Sequence, residues 1–339
     1  MRFIFLPLSF FIFLVTNAQP SEKIPLNHNV YDSWNNIENV RISKDAQWIS
    51  YELNPQKGDG QLMLYNTHTG NTDSIARGFD AKFSPGSNIL VFKIKPQFDT
   101  IRQMKLKKVK KEKMPKDSLG IWFLANDSLL CFPDVKSFKM PREKNDWLAF
   151  LQKHREAKAD STESNDSTKV KAKKKANQKQ YDLHILHPAG GESFTFESTE
   201  EYTFSKNGEG IAFIRSLNDS IDSTAVLLFE TTSMKIRNVF SGIGKVKKAR
   251  LNDSGDMLGF IFSADTGDVK IYDLYHWEDD ELEKLIPSDH SFLPPNWSVS
   301  EHGNISFSED NRRMYFGIAP SPEPEPEDTL TKEEKVSID

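Results

Sequence analysis

The chain has little of what most extracellular or catalytic domains depend on. It holds one cysteine, Cys131, in 339 residues. A lone thiol excludes an internal disulfide framework and a multi-cysteine metal site. The pattern Gly-x-Ser-x-Gly occurs nowhere, so the strand-turn-helix elbow that presents a hydrolase serine is missing. Positive charge is not in excess: the formal net charge is −5, which argues against general nucleic-acid affinity. After the first residues, no apolar stretch is long enough to cross a bilayer.

What is present is a short phrase that recurs. Its clearest copy is Phe204-Ser205-Lys206-Asn207-Gly208-Glu209-Gly210-Ile211-Ala212-Phe213. It reads as strand, tight turn and strand, with Asn207-Gly208 expected in a type I′ turn. Ile42-Ser43-Lys44-Asp45 leads in the same way to Trp48-Ile49-Ser50-Tyr51, and Phe83-Ser84-Pro85-Gly86 leads to Ile89-Leu90-Val91-Phe92. Leu251-Asn252-Asp253-Ser254-Gly255 precedes Met257-Leu258-Gly259-Phe260, and Phe307-Ser308-Glu309-Asp310 precedes Met314-Tyr315-Phe316. A degraded copy runs from Met140-Pro141 to Trp147-Leu148-Ala149-Phe150. The starts at 42, 83, 140, 204, 251 and 307 are spaced by 41, 57, 64, 47 and 56 residues. Units of about 40–50 residues built from hairpins indicate β-propeller blades. The expected fold is all-β: a propeller of four-stranded antiparallel blades, about five plus part of a sixth, incomplete at its C-terminus.

Third strands are expected at Gln61–Asn66, Tyr181–Leu186, Ala225–Phe229 and Val269–Leu274, and a fourth at Asn71–Ala76. Continuous apolar runs such as Ile89–Phe92 fit strands covered on both faces. The long spacings need insertions. Lys105-Leu106-Lys107-Lys108-Val109-Lys110-Lys111-Glu112-Lys113 is a basic run, expected in a solvated hairpin whose lysines discourage edge pairing; an anionic partner is the functional alternative. Residues from about 153 to 180 hold almost no large apolar side chains and are expected to be disordered. Pro320 to Pro326 reads as a stiff acidic loop, and Val336-Ser337-Ile338-Asp339 as the start of a further strand.

Met1-Arg2, the apolar Phe3–Val15 and the small residues up to Ala18 form the pattern of a signal peptide, cleaved before Gln19. Residues 1–18 are therefore expected to direct export, to a bacterial periplasm, and 19–339 to form the propeller. No stable membrane span is expected after cleavage.

No residue is assigned a catalytic, cofactor-binding or metal-ligating role. Gly190-Gly191-Glu192-Ser193-Phe194 has the wrong spacing for a nucleophile and falls in a hairpin turn. Cys131 is expected to be a buried structural thiol. His184 and His187 are three apart on a strand and face opposite sides. Asp279-Asp280-Glu281, the Asp265/Asp268 pair around Gly267, and Gly242-Ile243-Gly244-Lys245 all read as turns.

The repeats resemble the TolB-like propeller units of bacterial periplasmic proteins. The whole layout resembles the N-terminal part of exported prolyl oligopeptidase-family serine peptidases, of the dipeptidyl and acylaminoacyl peptidase type. The residues that carry this are the signal peptide, Trp34-Asn35-Asn36-Ile37 and the first repeat. They continue with the lysine-rich excursion ending at Pro115-Lys116-Asp117-Ser118-Leu119, and with Trp147–Phe150 before a lysine-rich insert. Phe307-Ser308-Glu309-Asp310 with Tyr315-Phe316-Gly317 completes the set. The resemblance implies a propeller that screens peptides for a C-terminal α/β-hydrolase domain with a Ser-Asp-His triad. No such domain lies in these residues, so no catalytic position carries over and the chain alone is expected to be inactive. The other reading is a stand-alone periplasmic propeller that binds proteins as a scaffold.

Overall fold

The computed structural model describes residues 31, 34–154, 181–188, 190–218 and 223–323. The expected signal peptide, residues 155–180 of the insert, the end of the proline-rich loop and the strand at 336–339 lie outside the described residues.

Five four-stranded antiparallel sheets follow one another along the chain. The first holds β1 (Asn35–Ile42), β2 (Trp48–Pro55), β3 (Gln61–Asn66) and β4 (Thr72–Ala76). The second holds β5 (Gly78–Phe83), β6 (Ile89–Ile94), β7 (Ser118–Phe123) and β8 (Ser128–Phe132), with the helix α1 (Phe98–Leu106) between β6 and β7. The third is β9 (Val135–Lys139), β10 (Leu148–Lys153), β11 (Tyr181–His187) and β12 (Glu192–Phe196). The fourth is β13 (Thr199–Phe204), β14 (Gly210–Asn218), β15 (Ser223–Glu230) and β16 (Lys235–Ile243). The fifth is β17 (Lys245–Leu251), β18 (Met257–Ser263), β19 (Asp273–Glu278) and β20 (Glu281–Ile286). A sixth unit is a hairpin in two pieces: β21 (Trp297–Val299) pairs with β24 (Ile318–Pro320), and β22 (Ser306–Phe307) with β23 (Met314–Tyr315). This is the expected propeller architecture, five blades and part of a sixth among the described residues.

Successive sheets pack face to face. Leu62 and Leu64 of the first meet Ala81 and Phe92 of the second, while Val91 and Ile121 meet Phe138 and Phe150 of the third. Trp147 and Leu183 meet Tyr202 and Phe213, Ile214 and Val226 meet Val246 and Phe260, and Ile261 and Leu274 meet Val299 and Ile305. Neighbouring residues of β6 thus serve two different interfaces, which is why its sequence is apolar without alternation. The continuous buried runs sit on the middle strands, the second strands β6, β10 and β18 and the third strands β7 and β15; the first strands are more polar.

The repeat phrase is a turn device. In blade one, Ser43 N–H donates to Trp48 O (2.9 Å), and Trp48 N–H donates to Ser43 Oγ (3.0 Å). Ser205 and Gly210 form the same pair at 2.9 and 3.0 Å, as do Ser308 and Arg313. In blade five the Asn252 amide replaces the hydroxyl and accepts from Met257 N–H at 3.1 Å. One side-chain oxygen therefore satisfies a turn N–H in each, as in Asx and Ser/Thr turns. This corrects the expected type I′ turn at Asn207-Gly208. Only Gly208 has positive φ (+80°), while Asn207 turns its side chain inward to accept from Ser205 Oγ (2.8 Å) and Glu209 N–H (3.0 Å). The two-residue turn with both φ positive is Asp279-Asp280, at 50° and 63°.

Three further expectations change. The basic run does not form a hairpin: its first residues end α1, whose dipole is matched by Asp99 in the first turn and Lys105 in the last. The third strand of blade five is β19, displaced from Val269–Leu274. Asp265 holds the preceding loop out of the sheet by accepting from Ser263 Oγ (2.9 Å) and Ile271 N–H (2.8 Å). Cys131 is exposed, beside exposed Leu129 and Leu130. It lies on β8, a fourth strand that pairs with β7 alone, whose first four residues are all exposed.

One face stands apart. Ala81, Phe138, Tyr202, Ala249 and Ile305 each lie two residues before the leading apolar residue of their repeat, Phe83, Met140, Phe204, Leu251 or Phe307, and all are buried against the preceding blade. Their counterpart in blade one is Val40, which is 54% exposed, next to Ile37 and Ile42 at 64% and 63%. Among the described residues, the first sheet is covered on its blade-two side alone.

Candidate functional site: the axial channel

Each first strand among β1, β5, β9, β13 and β17 pairs on one side only, with the second strand of its sheet. The turns that follow these strands converge. Asp45 N–H donates to Ser87 Oγ (3.3 Å), linking blades one and two. Gly86 N–H and Asn88 Nδ2 donate to the Asp146 carboxylate (2.9 and 2.5 Å), linking two and three. Arg142 and Glu143 N–H both donate to Lys206 O at 3.2 Å, and Asn207 N–H donates to Asp253 O at 3.1 Å, carrying the chain of contacts to blade five. Lys44 Nζ of blade one reaches Glu143 O of blade three at 3.4 Å. Such a contact across an intervening blade requires the turns to lie on the concave side of the array. The first strands therefore line an axial channel, and their turns ring one mouth.

The mouth is charged. Lys206 Nζ lies 3.1 Å from Glu143 and 3.2 Å from Asp253. The hydrogen bonds to those two carboxylates hold the Lys206 pKa above the ordinary lysine value.

Inside the mouth, the position just before the repeat's leading apolar residue is Arg41, Lys82, Lys139, Thr203, Arg250 and Ser306 in blades one to six. Their cross-strand partners are Ser50, Val91, Ala149, Ala212, Gly259 and Tyr315. Each partner precedes the repeat's aromatic residue, Tyr51, Phe92, Phe150, Phe213, Phe260 or Phe316, so the six positions are equivalent in register. Four are cations.

Local backbone chemistry explains their orientation. The pairing shifts between Glu38 and Arg41, between Phe79 and Lys82, and between Lys247 and Arg250. At these bulges Asn39, Asp80 and Lys248 take φ of 52°, 51° and 60°. A bulge re-aims the side chain that follows. Glu52 stabilises two of them, accepting from Asn39 Nδ2 and from Asp80 N–H, both at 2.9 Å.

Arg41 and Lys82 are exposed, and among the described residues neither has a carboxylate partner. Lys82 Nζ lies 5.1 Å from the Phe138 ring centre, and Lys139 Nζ lies 4.8 Å from that of Tyr202. Lys139 also donates to Tyr202 O at 2.6 Å. Arg250 is held by Glu201 at 2.5 Å. The Lys139 side chain as a whole is open to the channel, yet its ammonium end is crowded. That burial and the Arg250 charge lower its pKa, against the opposing pull of Glu201.

The residues weighed from sequence do not gather here. His184 stacks on Phe150 and His187 on Trp147, on opposite sides of β11, at 5.0 and 4.8 Å between ring centres. No group of three or more potential metal ligands occurs among the described residues, and no helix among them is long and apolar enough to cross a membrane. The four axial cations were not singled out from sequence. Their signal was available: Arg, Lys, Lys and Arg directly precede Ile42-Ser43, Phe83-Ser84, Met140-Pro141 and Leu251-Asn252.

No family model and no curated protein matches the chain. Solved structures do. Acylaminoacyl peptidase of Pyrococcus horikoshii is similar over 87% of this chain, with 13% identity and a TM-score of 0.41. This chain spans 44% of that protein. The β-propeller domain of the Trilobed protease from Pyrococcus furiosus is similar over 84% of this chain and 79% of its own length, at 12% identity and a TM-score of 0.38. Tricorn protease is similar over 87% of this chain and 25% of its own, at 11% identity and a TM-score of 0.38.

Proposed function

We propose that this chain is the propeller portion of a prolyl oligopeptidase-like serine peptidase, screening peptides on their way to an α/β-hydrolase domain that these residues do not include. The observation that carries the reading is the channel. Charged and polar side chains of the first strands face an axis, while Ala81, Phe138, Tyr202 and Ala249 beside them are buried. The sheets that hold these strands pack on one another through apolar cores. The order of sequence phrases shared with that peptidase family supports the same assignment.

Two labels applied to the purified chain test it. Acyl transfer needs a nucleophile with a base in reach, so a fluorophosphonate should label no serine. A short peptide carrying a photo-crosslinker should mark first-strand residues such as Lys82 and Thr203. Stoichiometric labelling of a serine overturns the assignment. So does crosslinking confined to the exposed face at Ile37, Val40 and Ile42, the feature that favours a protein-binding scaffold instead.

The reading also includes export to a bacterial periplasm, on the strength of Arg2, the apolar Phe3–Val15 and the small residues ending at Ala18. Protein recovered from a bacterial periplasm should begin at Gln19. Material retained in the cytoplasm with an intact Met1 would show that the segment is not a cleaved signal.

A further inference from the structure

The four axial cations sit at one level of the channel because they share one register position, and three of them follow a bulge. Lys82 and Lys139 each reach toward the first strand of the next blade, and Arg250 reaches back to that of blade four through Glu201. Among the described residues the only carboxylate in contact with this set is Glu201, engaged by Arg250 and by Lys248 N–H at 3.3 Å. A single carboxylate leaves the collar electropositive inside a chain whose formal net charge is −5. Lysines kept for solubility are spread over outer surfaces. These instead lie over aromatic rings that restrict their motion, at Phe138 and Tyr202.

We infer that Arg41, Lys82, Lys139 and Arg250 form a collar that binds a carboxylate group of a peptide held in the channel. Arg41 presents a planar fork suited to the two oxygens of a carboxylate, and the lysines act as point charges beside it. Thr203 holds the same position in blade four, and its hydroxyl, which donates to Phe204 O at 3.4 Å, can turn to donate to the same oxygens. The inference rests on the peptide reading above for the identity of the ligand, but not for the existence of the anion site.

The experiment uses calorimetry on the full chain with four probes. These are N-acetyl-Ala-Ala-Ala with a free C-terminus, the same peptide as its amide, N-acetyl-Ala-Asp-Ala-amide, and inorganic phosphate. The free acid should bind at least about tenfold more tightly than the amide, the size of one charge-assisted hydrogen bond. Arg41→Gln with Lys82→Gln should remove most of that difference, and rising salt should erode it. These two side chains make no ion pair among the described residues, so the double variant keeps its structure, checked by an unchanged circular dichroism spectrum. Tight binding of the aspartyl amide assigns the collar to acidic side chains, and its weak binding assigns the collar to the terminal carboxylate.

Equal affinity for the acid, its amide and the aspartyl amide overturns the collar while leaving the peptide reading intact. Phosphate binding that is lost in the double variant, with no peptide bound at all, upholds the collar and overturns the peptide reading. Failure of all four probes overturns the inference outright.

Discussion

Replacing Phe213 with alanine lowers the stability of the chain by about 3–5 kcal/mol, the cost of deleting a fully buried phenyl ring. Phe213 is at 0% exposure in the interface between blades three and four. Its ring lies 4.7 Å from Phe196, and Trp147, Leu183 and Tyr202 share the cluster. It sits mid-strand on β14, paired with Tyr202 on one side and Leu227 on the other. Backbone ladders on both sides keep the walls from collapsing into the space left behind. The repeat supplies an internal control. Tyr51 holds the equivalent position in blade one, half-buried beside exposed Ile37 and Ile42. Tyr51→Ala should cost clearly less, because the side chain gives up less buried area. Urea titration of both variants measures the difference as a shift in midpoint at constant slope. Equal losses for the two would mean that blade one is covered as well as blade four.

The contrast between these two aromatics also marks what could be read from the sequence. The second strands were legible because burial on two faces writes an uninterrupted apolar run, as in Ile89–Phe92 and Ile211–Ile214. The turns were legible because a serine or asparagine must supply an oxygen at a fixed offset, so Ser43, Ser84, Ser205, Asn252 and Ser308 recur. Outer strands left a fainter trace, since β8 and β20 touch one neighbour and tolerate exposed Leu129 and Leu282 as readily as polar residues. The helix α1 left only a short trace, Phe98, Ile101 and Met104 at helical spacing just before the basic run, because it is nine residues long and fully buries none of them. The axial cations were hidden for another reason. A lysine or arginine before a core residue looks like ordinary surface charge until register shows that four of them share one level. The bulges at Asn39, Asp80 and Lys248 that aim three of them leave almost no mark, since only the first two are residue types that favour positive φ.

A single methyl group added at Gly120 should be almost as damaging as a cavity. Gly120 lies mid-strand on β7, directly across from Phe92 on β6. In the other blades the residue opposite the aromatic carries a side chain: Met63, His184, Leu227 or Tyr275. At Gly120 the Phe92 ring lies over bare backbone instead. A Cβ there would sit 2.4 Å from both Cε2 and Cζ of that ring, far inside contact distance. Phe92 is at 0% exposure among Leu62, Leu64, Ala81 and Trp122, so the ring cannot swing aside without displacing the interface between blades one and two. Gly120 has no positive φ, so alanine is acceptable to the backbone, and replacing glycine would by itself favour the fold slightly. The expected loss for Gly120→Ala is therefore steric, about 1–3 kcal/mol of overpacking or somewhat more. Phe92→Leu in the same chain should recover part of it, giving a double-mutant coupling of about 0.5–3 kcal/mol between two sites in contact. Thermal or urea unfolding of the three variants decides the matter. A Gly120→Ala chain as stable as the parent, or losses that simply add, would show that the ring does not lie across the glycine.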